Sequence, residues 1–334
     1  MNLQNILTQY PADYRLGRSV DLGAAGGLSG AGIWRIESSF GDLCLRRWPV
    51  EHPDPVRLKW IHAVLKHVDG RGVKLLPIPL ATLDGGTFVS QGERLWELAP
   101  WLPGHPVETG DVTAEKVTAA FDALARFHLA AESFTDVQQR SGRPPSIEQR
   151  LKRLELWQHR GGAEAIETNL AATPAIDAQL GSHGRVLLTA FHRFAPIIET
   201  ELGALRDTPT ALQPCIRDIH DRHVLFTGDR VTGLIDFGAM RVDTVATDVA
   251  RLLGTLPGAD AALRAAGMAA YQRRRRLSDT ELRLAAAIDR ANEVLRGMQW
   301  LQWLVVEQRQ FPSMPQVLAI LSEICRRLPR YTDV

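Results

Sequence analysis

Two aspartates and two histidines fall within six positions of the chain: Asp218, His220, Asp221 and His223 in CIRDIHDRHVLF. An apolar run, VLFT, follows at once. The turn GDR and a second apolar run, VTGLIDF, then lead to Asp236. A strand, a turn and a strand return the chain to its starting point, so Asp218, His223 and Asp236 are expected to converge on one cleft. A carboxylate with a second ligand suits a hard cation such as Mg²⁺, which keeps waters and substrate phosphates as its other ligands. A separate carboxylate can orient an attacking hydroxyl and accept its proton. Asp and His are also zinc ligands, so a metal-dependent hydrolase is a second reading. A polar turn or cap is the plainest one.

The elements that must position these residues follow from pattern. Residues 18–48 read as a β-hairpin region. DLGAAGGLSGAG, with five Gly in twelve positions, precedes the runs IWRIES and DLCLRRW, and SFGD turns between them. Asp54 caps a helix with Pro55 at its first position, and Leu58, Ile61, Leu65 and Val68 share one face. GTFVSQ and ERLWELAPW are strand-like, and WLPGHP breaks the pattern. Beyond it the chain is mostly helical, over 114–131, 147–159, 186–203 and from 247 onward. Ser278 and Glu281 form a capping-box pattern that opens a long helix over 279–308. Two domains are expected: 1–100, a small sheet part, and 101–334, a larger helical part carrying the loop.

Bulk properties exclude several classes. A length of 334 residues suits two domains. The formal net charge of +1 gives no footprint for nucleic acid or an anionic membrane. Cys44, Cys215 and Cys325 are scattered and odd in number, which argues against a disulfide framework or a zinc–thiolate site. The first residues lack a signal pattern and no apolar run approaches a membrane span, so a cytoplasmic protein is expected.

The order of loop Asp, a ligand five residues on, strand–turn–strand and IDFG resembles the aminoglycoside phosphotransferase family. That family includes choline-kinase-like and homoserine-kinase-like small-molecule kinases and is distantly similar to protein kinases. The resemblance implies an α+β, bilobal kinase-like fold with a small antiparallel-sheet lobe and a larger helical lobe. It implies ATP and Mg²⁺, and Asp218 as the catalytic Asp. It gives Asp236 as a metal-binding Asp and Asp248 as the acid that steadies the loop. GGLSGAGIWRI resembles the glycine loop over ATP phosphates, with Gly27, Ser29 and Gly30. Arg46 in DLCLRRW stands where the family places a phosphate-binding Lys, with Arg47 as the competing choice. WELAPWLPG resembles the adenine hinge, through the Pro100 carbonyl and the Leu102 N–H.

The chain departs from the family at three points. His223 replaces the loop Asn, which favours Mn²⁺ or Zn²⁺ over Mg²⁺ at that ligand. Arg46 replaces Lys; its planar fork also binds phosphate. Helix 54–69 contains no Glu to pair with it. The expected function is transfer of the ATP γ-phosphoryl group to a hydroxyl of a small molecule. A catalytically weak or inactive kinase-like binding protein is the main alternative. The sequence leaves the acceptor and the oligomeric state open. Trp300, Trp303 and Glu307 share a helical face and read first as core, second as a wall for an amine acceptor.

Overall fold

The computed structural model describes residues 3–14, 17–23, 30–108, 110–138, 140–172, 178–311 and 313–328. By packing, the chain divides into two compact units. One is Met1–Thr135 with Asp218–Met240; the other is Asp136–Arg217 with Arg241–Val334.

The first unit is built on an antiparallel sheet of five strands in the order β1-β2-β3-β5-β4. These strands are β1 (Ser19–Asp21), β2 (Gly32–Ile36), β3 (Leu43–Arg47), β4 (Val89–Gln91) and β5 (Arg94–Pro100). Successive strand residues face opposite sides. Ile36, Leu43, Leu45, Trp96 and Leu98 therefore join Ile6, Leu7 and Tyr10, from and just after α1 (Leu3–Leu7), in one buried cluster. The other face of the central strands carries Cys44, Arg46, Glu97 and Ala99, paired in register as Cys44 with Ala99 and Arg46 with Glu97.

Helix α2 (Pro55–Gly70) starts as its sequence dictates: the Asp54 side chain accepts from the Arg57 N–H, and Pro55 sits in the first turn. Leu58, Ile61, Leu65 and Val68 are all buried, and so is His62. Helix α3 (Ala114–Glu132) buries Val117, Phe121, Leu124, Phe127 and His128.

The inserted segment, residues 218–240, is the hairpin β9 (Val224–Thr227) and β10 (Arg230–Leu234) with its flanking loops. It is bound into the first unit on two sides. His105 and Phe226 exchange backbone hydrogen bonds of 3.0 and 2.8 Å, and the Leu234 N–H donates to Leu75 O at 2.8 Å. Gly104, at φ +95°, is required here: a Cβ would stand 2.5 Å from the Phe226 carbonyl oxygen.

The second unit is mostly helical. It contains β6 (Ser141–Gly142), α4 (Pro145–His159), α5 (Gly162–Ala172), α6 (Ala178–Leu205), β7 (Thr210–Ala211) and β8 (Gln213–Cys215). Then come β11 (Arg241–Asp243), α7 (Ala246–Leu253), α8 (Ala261–Arg274), α9 (Asp279–Leu301) and α10 (Met314–Arg327). Helices α6 and α9 approach closely at Gly297, where a Cβ would meet Leu187 at 2.5 Å. The Ser278–Glu281 capping box is present in both directions. The long helix it opens is α-helical only to Leu301; residues 302–306 widen into a π-turn. That turn shifts the face shared by Trp300, Trp303 and Glu307. Trp300 is buried, Trp303 is half-buried, and Glu307 pairs with Arg309 at 2.6 Å. Among the described residues no helix is long and apolar enough to cross a membrane.

Candidate active site

The short spacing from β9 to β10 does bring Asp236 back to the loop. The Ile235 N–H donates to the His223 carbonyl at 3.0 Å, which fixes the approach of the next residue. Asp236 lies two residues beyond β10, on a backbone at φ +63°. A residue with a Cβ in that region costs about 1–3 kcal/mol and persists only where its surroundings hold it. Those surroundings are identifiable. Phe237 is buried and stacks on Phe127 with centroids 5.9 Å apart. Gly238 lets Trp48 pack against the turn, since a Cβ there would meet the indole at 2.7 Å. Arg57, in the first turn of α2, donates to the carbonyls of Gly238 at 3.3 Å and Met240 at 2.9 Å.

Strand alternation separates the two arginines of β3. Arg47 turns toward the rings of Trp34 and Trp96. Arg46 turns to the opposite face, lies 3.7 Å over the Trp48 ring and donates from Nη2 to Asp236 Oδ1 at 2.7 Å. Among the described residues its Nε is buried without a hydrogen-bond partner. Burial disfavours the ionised form of Asp236. Arg46, His223 and the Gly238 N–H more than offset that, and hold its carboxyl at about 2.

The loop folds on itself. His223 Nδ1 lies 2.8 Å from the Asp218 carbonyl oxygen, to which it donates. That leaves Nε2 facing Asp236 Oδ2 at 3.6 Å. A metal-binding histidine commonly donates its other nitrogen to a carbonyl in this way, which fixes the tautomer. The 3.6 Å gap is one that two metal–ligand bonds of about 2.0–2.2 Å can span. The donor set thus fits a divalent cation held by Asp236 and His223. The ligating atoms of Asp218, His220 and His223 lie within 4.8 Å of one another. The rings of His220 and His223 are 3.7 Å apart, tilted by 39°, and the His220 side chain also caps the turn at Asp221–His223.

The root of the loop belongs to the second unit. Asp248, fully buried in the first turn of α7, accepts from the Ile216 N–H at 2.7 Å and the Arg217 N–H at 2.6 Å. Arg217 is at φ +69°, a second left-handed residue with a side chain. Its guanidinium lies 3.3 Å from the buried carboxylate of Asp243. Asp248 thereby steadies the backbone immediately before Asp218.

Pro100 ends β5 and Leu102 follows it, both half-buried. The intervening Trp101 N–H donates to Asp42 O at 2.9 Å. The next residues dock on the hairpin, where Thr232 Oγ1 donates to Pro103 O at 2.7 Å. Gly30 is exposed at φ +75°, and no described residue lies within 4 Å of where a Cβ would stand. Gly27 and Ser29 lie outside the described residues.

Two further residues of this region belong to no sequence motif. Glu97 Oε2 lies 2.7 Å from His62 Nε2, and His62 Nδ1 lies 2.8 Å from Thr87 Oγ1. The alternation of Trp96 and Leu98 on the core side was enough to place Glu97 on the Arg46 face. Nothing in the sequence of α2 marked His62 as its partner.

A family described as "Phosphotransferase enzyme family" matches residues 22–287, a span that contains the whole site. The chain belongs to this family. Among curated relatives, it is 27% identical over 247 residues to a homoserine kinase of Janthinobacterium sp. (strain Marseille), covering 73% of this chain and 66% of that protein. It is 26% identical over 213 residues to an uncharacterized protein of Deinococcus radiodurans, covering 61% of this chain and 53% of that one. The chain thus spans between about half and two thirds of the length of these relatives. In fold it is similar to an aminoglycoside phosphotransferase from Alicyclobacillus acidocaldarius, with a TM-score of 0.66, 18% identity and coverage of 99% and 95% of the two chains. It is similar also to an amicoumacin kinase solved with AMP-PNP and Ca²⁺, with a TM-score of 0.66, 14% identity and coverage of 99% and 92%. A microcompartment-associated aminopropanol kinase gives 0.65, 15%, 98% and 96%. The phosphotransferase fold expected from the catalytic-loop and IDFG motifs is therefore the fold of this chain.

Proposed function

We propose that this phosphotransferase-family protein moves the γ-phosphoryl group of ATP to a hydroxyl of a small molecule. The observation that carries the reading is the convergence of Arg46, Asp236 and His223, from a sheet strand, a hairpin end and a loop, beside the Asp218 segment. Phosphoryl transfer asks little covalent chemistry of a protein; it asks for position and for charge set against the phosphates. In this reading Asp218 orients the acceptor hydroxyl and takes its proton. Asp236 and His223 hold Mg²⁺ or Mn²⁺, which neutralises phosphate charge when bound. Arg46 and the Gly27–Ser29–Gly30 loop steady the phosphates. The Pro100 carbonyl and Leu102 N–H take the adenine edge.

The solved amicoumacin kinase holds AMP-PNP with Ca²⁺, and a spectinomycin phosphotransferase holds ADP with spectinomycin. These support nucleotide use by a relative of the same fold. They leave the acceptor of this chain to experiment, because acceptor pockets vary on a shared fold.

The test is calorimetric titration with AMP-PNP, without metal, with Mg²⁺ and with Mn²⁺, repeated with Asp236→Asn. Metal-dependent binding that Asp236→Asn removes is expected, followed by ADP release in a screen of small alcohols. A second reading, a kinase-like binding protein without turnover, is favoured by His223 and Arg46 standing where the family has Asn and Lys. Tight nucleotide binding with no ADP release for any acceptor would select it.

A further inference from the structure

Arg46 faces two carboxylates, and only one of them is in the loop. Burial works against the charge of Arg46; attraction from Asp236, then from Glu97, outweighs it. Glu97 is the direct cross-strand partner of Arg46, so both side chains leave the same face of the sheet. Its carboxylate is not loose. His62, only 2% exposed, holds it at 2.7 Å and is itself held by Thr87 at 2.8 Å. Both ring nitrogens of His62 are thereby used, and α2 contributes a clamp to the acid on β5.

The two carboxylates have different duties under the function proposed above. A divalent cation on Asp236 competes with Arg46 for the same carboxylate and repels the guanidinium. Arg46 then needs a counter-charge that the cation does not take. We propose that Glu97, fixed by His62, is that counter-charge and keeps Arg46 set for phosphate when Asp236 turns to the metal. Glu97 and His62 are positioning residues: they act through Arg46 and touch neither phosphate nor metal. An acid on the sheet, clamped from the helix, thus does the work for which helix α2 has no Glu.

Two measurements test this. The first needs no nucleotide: urea unfolding of wild type, Glu97→Gln, Asp236→Asn and the double variant. Residues that share one charged partner couple, whereas independent sites add. The double variant is expected to lose more stability than the two single losses together, because Arg46 is then left with neither acid. Additive losses would overturn the inference. The second is steady-state kinetics. Glu97→Gln is expected to raise KM for ATP about tenfold, the worth of one charge contact, while kcat stays within about threefold. Glu97→Asp, which keeps the charge, should recover most of the loss. A Glu97→Gln protein with unchanged or lower KM would also overturn it. If wild type binds no nucleotide at all, the phosphotransfer reading fails, and the unfolding cycle still decides the role of Glu97.

Discussion

Asp236 Oδ1 and Arg46 Nη2 are 2.7 Å apart although the two residues are 190 positions apart in the chain. The pair joins the central strand of the sheet to the end of the β9–β10 hairpin. It also means that the carboxylate proposed for the cation and the guanidinium proposed for phosphate satisfy each other before any ligand arrives.

The loop carboxylate is the group assigned to proton acceptance. Asp218→Asn is expected to lower turnover by about 10²–10⁴-fold, the usual worth of a positioned acid or base. AMP-PNP affinity should stay within a few-fold, because the proposed phosphate contacts come from other residues. Paired turnover and calorimetry on one preparation separate the two effects, and retained turnover would remove Asp218 from its role.

His223 offers nitrogen where an amide oxygen would suit Mg²⁺ better. His223→Asn is expected to strengthen Mg²⁺-supported AMP-PNP binding relative to Mn²⁺. The comparison is two calorimetric titrations per variant. An unchanged ratio would mean that His223 is no ligand and serves only to close the loop on the Asp218 carbonyl.

Asp248 satisfies two buried N–H groups with its two oxygens. An Asn in its place has one acceptor and presents an NH₂ to the other donor. Asp248→Asn is expected to cost about 1–3 kcal/mol in urea unfolding, the penalty of a buried donor left unpaired. The left-handed Arg217 should relax with it, and transfer activity should fall more than stability alone explains.

Gly104 stands where the segment after β5 docks on the β9–β10 hairpin. Gly104→Ala adds a Cβ 2.4 Å from Thr232 Oγ1 and 2.5 Å from Phe226 O, at a positive φ. A loss of about 1–3 kcal/mol is expected from overpacking and strain together. A denaturation midpoint equal to wild type would show that this segment can lift away from β9.

The three thiols are all suppressed by burial: Cys44 is pushed up to about 12, Cys325 to about 11, and Cys215 well above the ordinary thiol value. The thiolate is the reactive form, so a raised value keeps each Cys inert at neutral pH and reactive only as pH nears the raised value. Alkylation at pH 8 should therefore be slow in the native protein and complete in denaturant. Rapid native modification would contradict the packing around β3 and β8.

Much of the site could be read in the sequence because its distances are short along the chain. The hairpin from Val224 to Leu234 returns on itself through a tight turn, so the meeting of His223 with Asp236 is a local event. Arg46 and Arg47 were also separable in principle: Leu43 and Leu45 point inward, and period-two alternation sends residue 46 to the other face. Asp248 was legible only through the family resemblance, since its two N–H donors lie more than thirty residues away. The His62–Glu97 contact joins a helix to a strand, and neither the helical nor the strand period marks it. Helix α5 and the π-turn after Leu301 are absent from the pattern for a related reason. The first has a short apolar face, with Ala163 and Ile166 buried. The second interrupts a helix whose hydrophobic spacing continues past it.

The first compact unit is discontinuous: its hairpin, residues 218–240, is separated from Thr135 by helices α4, α5 and α6. This orders events during synthesis. The sheet, α2 and α3 emerge first, with Leu75, His105 and Phe127 still lacking the hairpin contacts they make in the finished protein. At ~5–20 residues per second, the missing piece follows after a delay on the order of ten seconds. Arg46 and Glu97 are thus on the ribosome well before Asp236 exists. For that interval Glu97 is the only one of the two acids present to meet Arg46 on the nascent sheet.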